Sequence, residues 1–570
     1  MCESLKIHCI NTGTDISLAG GESLLEIADK IGFENLGLKF RPICALVNNK
    51  TEPLDYRVFT PKQVRFVDRS AASAFRCYTR SLSMMLYVAV REALPGVVLR
   101  IEHSLAAGWY CRLFSVSGEG DARREELLEI TQTMLDKLLD SMRRLHARAL
   151  PFVSSERLTD DVRAEFLREG LVDKVRLLDT LHQLYTVVYT LDGVTDSYYG
   201  VLAPSTADID IFSLRPYKEG FVMLGVDRFA PSQPARFNPQ EKMYGAFNEN
   251  LRFNRIIGVD DVGELNEAVL TDSTARLINV AEALHDKKIA SIADEIARRY
   301  REGGARVVLV AGPSSSGKTT FTKRLAIYLM TNLLQPRMIS LDNYFVNRDC
   351  TPRDADGEYD YESLHALDLA QFNSDLKRLL AGEEVEIPAY NFEKGCRQYK
   401  GDRLRLGEGT VLLMEGIHGL NPELTAEVPD PMKYRVYVSA LTTLSIDDHN
   451  WIPTTDNRLL RRIIRDHKYR GASAVDTLRR WPSVRRGEEK WIFPYQENAD
   501  STFNSSLIFE LGVMKDYAET ILRGVPNDLP EYAEAYRLRR FLGYFLPIGE
   551  KSIPPTSLLR EFLGGSSFRY

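Results

Sequence analysis

The sequence lacks any uninterrupted run of about 18 apolar residues, so it predicts no membrane span. Its opening stretch, MCESLKIHCINTGTD, has no apolar segment of the kind a secretory signal needs. Cysteine is scarce: seven thiols stand at 2, 9, 44, 77, 111, 350 and 396, with no CxxC pair among them. An odd, scattered set argues against a zinc knot or a disulfide frame and predicts reduced thiols in a cytoplasmic protein. A basic excess is missing too. The formal charge is −6, so no global field holds nucleic acid, and any RNA contact needs a local patch. Internal repeats and low-complexity tracts are absent, as is the N-K-x-D element by which many GTPases read guanine.

What is present is an ordinary globular composition, 44% hydrophobic and 27% charged, in a chain of 570 residues. At roughly 150 residues per domain that length predicts three or four units. Residues 1–68 alternate short strand-like runs (LKIHCI, ALVNN, QVRFVD) with one helical segment, SLLEIADKI, where Ser23 and Glu26 have capping-box spacing. This pattern fits a small β-grasp unit. Residues 69–240 read as α+β: a helix over RSLSMMLYVAVREAL, a strand GVVLRIEHS, and a charged helix EELLEITQTMLDKLLDSMRRLHARA. Residues 241–304 read as a helical connector closed by Gly303-Gly304, and 305–570 as a separate α/β unit.

The strand ARVVLVAG leads that last unit into GPSSSGKTT, residues 312–320, which has the spacing G-x4-G-K-[ST] and precedes the helical pattern TFTKRLAIYLMTNLL. Strand, glycine-rich loop and helix in this order predict a P-loop in a doubly wound parallel sheet. Gly312 and Gly317 let the loop Gly312-Pro313-Ser314-Ser315-Ser316-Gly317 turn its amides inward onto phosphate oxygens, with Lys318, Thr319 and Thr320 opening the helix. Lys318 brings a point charge to the phosphates and the Thr319 hydroxyl suits Mg²⁺, so ATP and Mg²⁺ are the predicted cofactors.

In such a sheet, ligands sit at the carboxyl ends of the strands. Asp342 directly follows the short apolar strand Arg337-Met338-Ile339-Ser340-Leu341, and is either a turn-former or a base for an attacking hydroxyl. Glu415 ends the buried-strand pattern VLLMEG, as a Walker B acid does, and is a second candidate for Mg²⁺. RLLRRIIRDHKYRG has helical spacing. Leu459, Leu460, Ile463 and Ile464 form its apolar stripe, Arg458, Arg461, Arg462 and Arg465 occupy the rest of its surface, and Gly471 is placed to end it.

GPSSSGKTT, SLDNYF, YDYESLHALD, PAYNF, LLMEGIHGL and RLLRRIIRDHKYRG occur in the order and approximate spacing of the uridine kinase family, relatives of phosphoribulokinase, which residues 305–520 resemble. The resemblance implies that Asp342 is the base for a nucleoside 5′-hydroxyl and that Asp360 holds the ribose hydroxyls. It implies that Tyr390 and Phe392 line the base pocket, and that Arg397 contacts the acceptor. It also makes the basic helix a lid whose arginines close over the phosphates, with Arg462 and Arg465 first and Arg461 not separable from them. The chain departs from the family at one place: Gly395 stands where a histidine reads the pyrimidine, which leaves the accepted base open.

Residues 1–68 resemble a TGS domain, and 69–240 resemble, more weakly, the editing-type domain of threonyl-tRNA synthetases. In the latter, Arg80 and Met84 fall on the H-x-x-x-H positions, and the C-x-x-x-H element is absent. The resemblance therefore implies a binding or regulatory use, not hydrolytic editing. The three-part arrangement is itself one that bacterial proteins of this kind share. Two functions from different classes follow: a nucleoside kinase, and an RNA-responsive P-loop ATPase. A kinase for a sugar phosphate would use the same loop and base. Homo-oligomerisation stays open.

Overall fold

The computed structural model describes residues 5–118, 123–354, 357–391 and 393–570. The N-terminal unit is a five-stranded sheet in the order Thr14–Leu18, Leu5–Cys9, Gln63–Val67, Cys44–Val47, Lys50–Pro53. One helix, Leu24–Ile31, packs Leu24, Ile27 and Ala28 against it. The predicted capping box is formed: the Glu26 amide donates to Ser23 Oγ at 3.2 Å, and the Ser23 amide donates to Glu26 Oε2 at 2.7 Å.

The long helix Ala72–Ala93 is buried on nearly every side and so reads as core rather than as a surface stripe. Around it lie a sheet ordered Ser213–Tyr217, Gly220–Leu224, Gly108–Ser117, Val97–Leu105, and a three-stranded sheet from residues 153–196. The predicted charged helix is shorter than its periodicity suggests. Arg124–Leu127 is a strand that pairs antiparallel with Gly108–Ser117, Leu127 facing Phe114, and the helix runs only over Gln132–Arg148. Cross-strand pairing decides the first segment, and Thr131, whose hydroxyl accepts the Met134 amide at 3.2 Å, fixes where the helix starts.

Residues 307–504 hold a five-stranded, all-parallel sheet in the order Gln335–Ser340, Thr410–Glu415, Val307–Ala311, Lys433–Ser439, Ser501–Asn504. Its middle strand, Val307–Ala311, is wholly buried, as the continuous apolar run requires of a strand covered on both faces. The P-loop helix Lys318–Thr331 and the connector helix Thr274–Arg301 cover one face, sharing a core with Phe321, Leu325 and Ile292. The connector is no free linker: Val262, Leu265 and Ile278 share another core with Leu459, Leu460 and the C-terminal helices. Among the described residues, no helix is long and apolar enough to cross a membrane.

Candidate functional site

Parallel register brings the chemistry together. Glu415 pairs in register with Val310 on one side and Ser340 on the other. The loop that follows Val307–Ala311, the Glu415 carboxylate and Asp342 therefore all emerge at the carboxyl ends of three adjacent strands, where such sheets bind ligands.

The loop is built to hold phosphate. A Cβ at Gly312 would collide with the Val438 carbonyl oxygen, and Gly317 adopts φ +82°, so neither position accepts a side chain without strain. The hydroxyls of Ser315 and Ser316 are buried and have no hydrogen-bond partner among the described residues. Buried polar groups are ordinarily satisfied, so these two point to an absent anionic partner. Lys318 is 8% exposed, its ammonium donating to the Pro313 carbonyl at 3.1 Å. These features suit a nucleoside triphosphate. For Mg²⁺, Thr319 Oγ1 lies 3.2 Å from Glu415 Oε2, one hydroxyl and one carboxylate, with phosphates and water to complete a shell as Mg²⁺ prefers.

The strand ends at Ser340, one residue before the predicted end, and Leu341 and Asp342 open a short 3-10 turn, Leu341–Tyr344. The turn is capped by Ser340, whose Oγ accepts the Asp342 amide at 3.3 Å, so its own carboxylate is not needed as the cap. That carboxylate is open to the cleft yet closely ringed by protein. Loss of solvation pushes its pKa up, while Lys318 and Arg470 pull it down. Burial pushes Glu415 up to about 7, against the pull of Lys318, with Asp342 and Glu561 adding to the rise. Two cations and several carboxylates thus share one site, and burial brings Glu415 close to neutrality.

The basic helix, Thr454–Arg470, buries the predicted stripe of Leu459, Leu460, Ile463 and Ile464, and Gly471 caps it at φ +61°. Its arginines do not form one solvated face. Arg458 is buried in a bidentate pair with Glu488, and Arg461 is buried against Glu510 and Ser505. Burial with full pairing takes both out of reach of a ligand, and it excludes Arg461 from the lid set. Arg462 Nη1 donates to Ser314 Oγ at 2.8 Å, directly on the P-loop. Arg465 pairs with Asp466 at 2.8 Å, and Asp466 also gathers Arg462 at 3.3 Å and Arg470 at 3.4 Å.

The residues that the resemblance assigns to the acceptor are more dispersed. Asp360 accepts the Glu362 amide at 3.2 Å, closing a turn. Tyr390 stands in the hairpin Val385–Asn391/Cys396–Leu404, its ring 5.6 Å from Phe345; Phe392 lies outside the described residues. Arg397 pairs with Asp368 at 2.7 Å, fastening the hairpin to the start of the preceding helix, Leu369–Leu380, while its Nη1 keeps no partner among the described residues. Gly395 has φ +65°, and a Cβ there would meet the Arg348 side chain at 2.8 Å. The Arg348 side chain thus fills the space that a side chain at 395 would need.

Three functional candidates escaped the sequence. Glu362, raised to about 7 by burial and by Glu488, is acted on by Arg462, Lys318 and Asp342. Gly487 makes room for it, since a Cβ there would collide with Glu362 Cβ. Arg470 acts on Asp342, and its spacing of eight and five from Arg462 and Arg465 was a signal. Glu561, near the C-terminus, reaches the P-loop helix, accepting the Thr320 hydroxyl at 2.7 Å and its amide at 3.2 Å.

Residues 307–507 match the Phosphoribulokinase / Uridine kinase family. They carry a P-loop kinase domain of that type. A uridine kinase of Halobacterium salinarum is 28% identical over 192 residues, 34% of this chain and 76% of the relative. A uridine kinase of Deinococcus deserti is 28% identical over 195 residues, 34% of this chain and 84% of the relative. Among solved structures, one described as "a Possible Uridine Kinase from Bacillus stearothermophilus" aligns over 38% of this chain and 99% of its own, with TM-score 0.25 and 18% identity.

Proposed function

We propose that this chain transfers the γ-phosphoryl group of ATP to the 5′-hydroxyl of a nucleoside, uridine or cytidine, giving the nucleoside monophosphate. The observation that carries this reading is Asp342: an uncommitted carboxylate at a strand end, facing the P-loop lysine and Arg470. A nucleotide switch needs no such base.

In this reading the loop 312–317 and Lys318 hold the triphosphate. Thr319 and Glu415 hold Mg²⁺, which when bound screens the phosphate charge. Asp342 accepts the proton of the 5′-hydroxyl as its oxygen forms a bond to the γ-phosphorus and the bond to the ADP oxygen breaks. Arg462, Arg465 and Arg470 balance the charge of the transferring group. Asp360, Tyr390, Phe392 and Arg397 form the acceptor side, and Arg348, beside Gly395, takes the place of the missing histidine. We also assign 1–68 as a TGS-like β-grasp domain, 69–240 as a synthetase-like α+β domain, 241–304 as a connector and 305–570 as the kinase domain. The five-stranded sheet with one packed helix at 5–67 supports the first assignment.

The test is transfer of labelled γ-phosphate from ATP and GTP across a panel of nucleosides and sugar phosphates, beside a control without acceptor. A labelled nucleoside monophosphate supports the reading and names the base. Phosphate released equally without acceptor contradicts it.

A further inference from the structure

A cavity of about 340 Å³ lies away from the P-loop, where three parts of the chain meet. One wall comes from the strand Val97–Leu105 and the helix Val172–Leu181, another from residues 251–264, and the third from the hairpin loop around Asp448. Four arginines and seven carboxylates line it. All four arginines have carboxylate neighbours. Arg100 pairs with Glu125 at 2.6 Å and Asp448 at 3.0 Å, Arg123 with Glu125 at 2.9 Å, and Arg176 with Glu264 at 2.8 Å. Arg255 stands more loosely, 3.6 Å from Glu102 and 3.7 Å from Asp260.

Acceptors are left over. Glu102 is 7% exposed; its Oε1 is taken by Arg112, but its Oε2 is buried and accepts no hydrogen bond among the described residues. Asp260 Oδ1 is in the same position. A buried carboxylate oxygen without a donor is costly, and native sites keep such groups for a reason. The backbone is arranged to put Glu102 there. The register of its strand slips between Ile101 and His103, so Glu102 is the extra residue of a β-bulge, a device that re-aims side chains. The bulge is also tied to the far wall, the Ile101 amide donating to the Asp448 carbonyl at 2.8 Å. Burial raises Asp260 to about 6 and Asp448 to about 7, as expected of a wall with more negative charge than it can balance.

We propose that this cavity binds a small organic ammonium ion, whose N–H groups donate to Glu102 Oε2 and Asp260 Oδ1. A metal ion fits less well, because no set of three ligating side chains converges closely enough among the described residues. The volume is that of a small-molecule site. A ligand here would bridge the middle of the chain to the hairpin that leads into the arginine helix.

The test is calorimetric titration of the full chain with putrescine and spermidine at fixed ionic strength, with MgCl₂ and NaCl run separately, in two buffers of different ionisation heat at pH 6.5. None of these readouts depends on phosphoryl transfer. The expected result is saturable amine binding that releases protons, because a cation favours the ionised form of the raised carboxyls. Glu102→Gln should weaken it at least tenfold, and Asp260→Asn provides a second reading from the opposite wall should the first variant misfold. Absence of saturable binding, affinity unchanged in both variants, or Mg²⁺ binding alone that Glu102→Gln removes would each overturn the proposal.

Discussion

Arg461 and Arg470 lie on one helix, and their surroundings assign them opposite duties. Arg461 is sealed against Glu510, so its loss strands a buried carboxylate. Arg461→Ala should lower unfolding stability by about 3–5 kcal/mol, read by thermal or denaturant unfolding. Arg470→Ala should leave the melting temperature nearly unchanged and lower kcat by about 10–10³-fold, because its charge acts on the cleft. Equal effects of both variants on stability would contradict this division. Periodicity placed both residues on a helix but could not tell them apart, because the distinction lies in Glu510, 49 residues downstream of Arg461.

The raised carboxyls make a second prediction at this scale. A carboxyl held near 7 when folded, against 4.5 as its ordinary value, favours the folded state fully below about 4.5 and loses that contribution as pH rises through 7. Metal-free protein should therefore melt lower at pH 8 than at pH 6. Glu415→Gln, which carries no charge, should raise the metal-free melting temperature at pH 8 by roughly 1–3 °C while abolishing Mg²⁺-dependent activity. An unchanged pH profile in the variant would show that Glu415 is not the titrating group.

Among elements, the P-loop was legible because its whole function is local. Amides from consecutive residues cradle one ligand, and the demand for glycine at 312 and 317 is written in the sequence itself. The segment around Glu561 was not legible, because SLLREFLGG shows only an amphipathic pattern, while its partner Thr320 is 241 residues away. A carboxylate on the Thr320 amide and hydroxyl occupies donors at the positive end of the P-loop helix that an incoming phosphate also seeks. Glu561→Gln should therefore lower the apparent KM for ATP by about 3–10-fold with little change in kcat, as initial rates would reveal; a raised KM would mean that Glu561 supports the loop instead. The strand Arg124–Leu127 was misread for a related reason: its partner strand, not its own charge pattern, decides its conformation.

Across the whole molecule, the hairpin Ser445–Asp447/Asn450–Trp451 joins the two halves. Lys174, 1% exposed, bridges Asp196 and Asp447 at 2.9 Å each, and His449 Nδ1 meets Asp196 at 2.8 Å. Burial disfavours the lysine's charge, but the two carboxylates outweigh it and hold it protonated. Lys174→Ala removes the cation shared by two buried carboxylates, leaving Asp196 with His449 and Asp447 with amide donors alone, and should cost about 3–5 kcal/mol. The variant should also become sensitive to limited proteolysis between the halves; an unaltered proteolytic pattern would deny the cluster its joining role. The charges of this junction are visible in the sequence, but their meeting is not. It depends on helices and strands about 250 residues apart, which composition and spacing do not relate.

The proposed chemistry turns on Asp342 as the base. The most direct measurement is single-turnover phosphoryl transfer to the best acceptor by Asp342→Asn, beside equilibrium binding of ATP and of the acceptor. A fall of about 10²–10⁴-fold in the chemical step, with both ligands bound as in the unaltered protein, is the predicted result. An unchanged rate would contradict it and return Asp342 to the role of a turn residue.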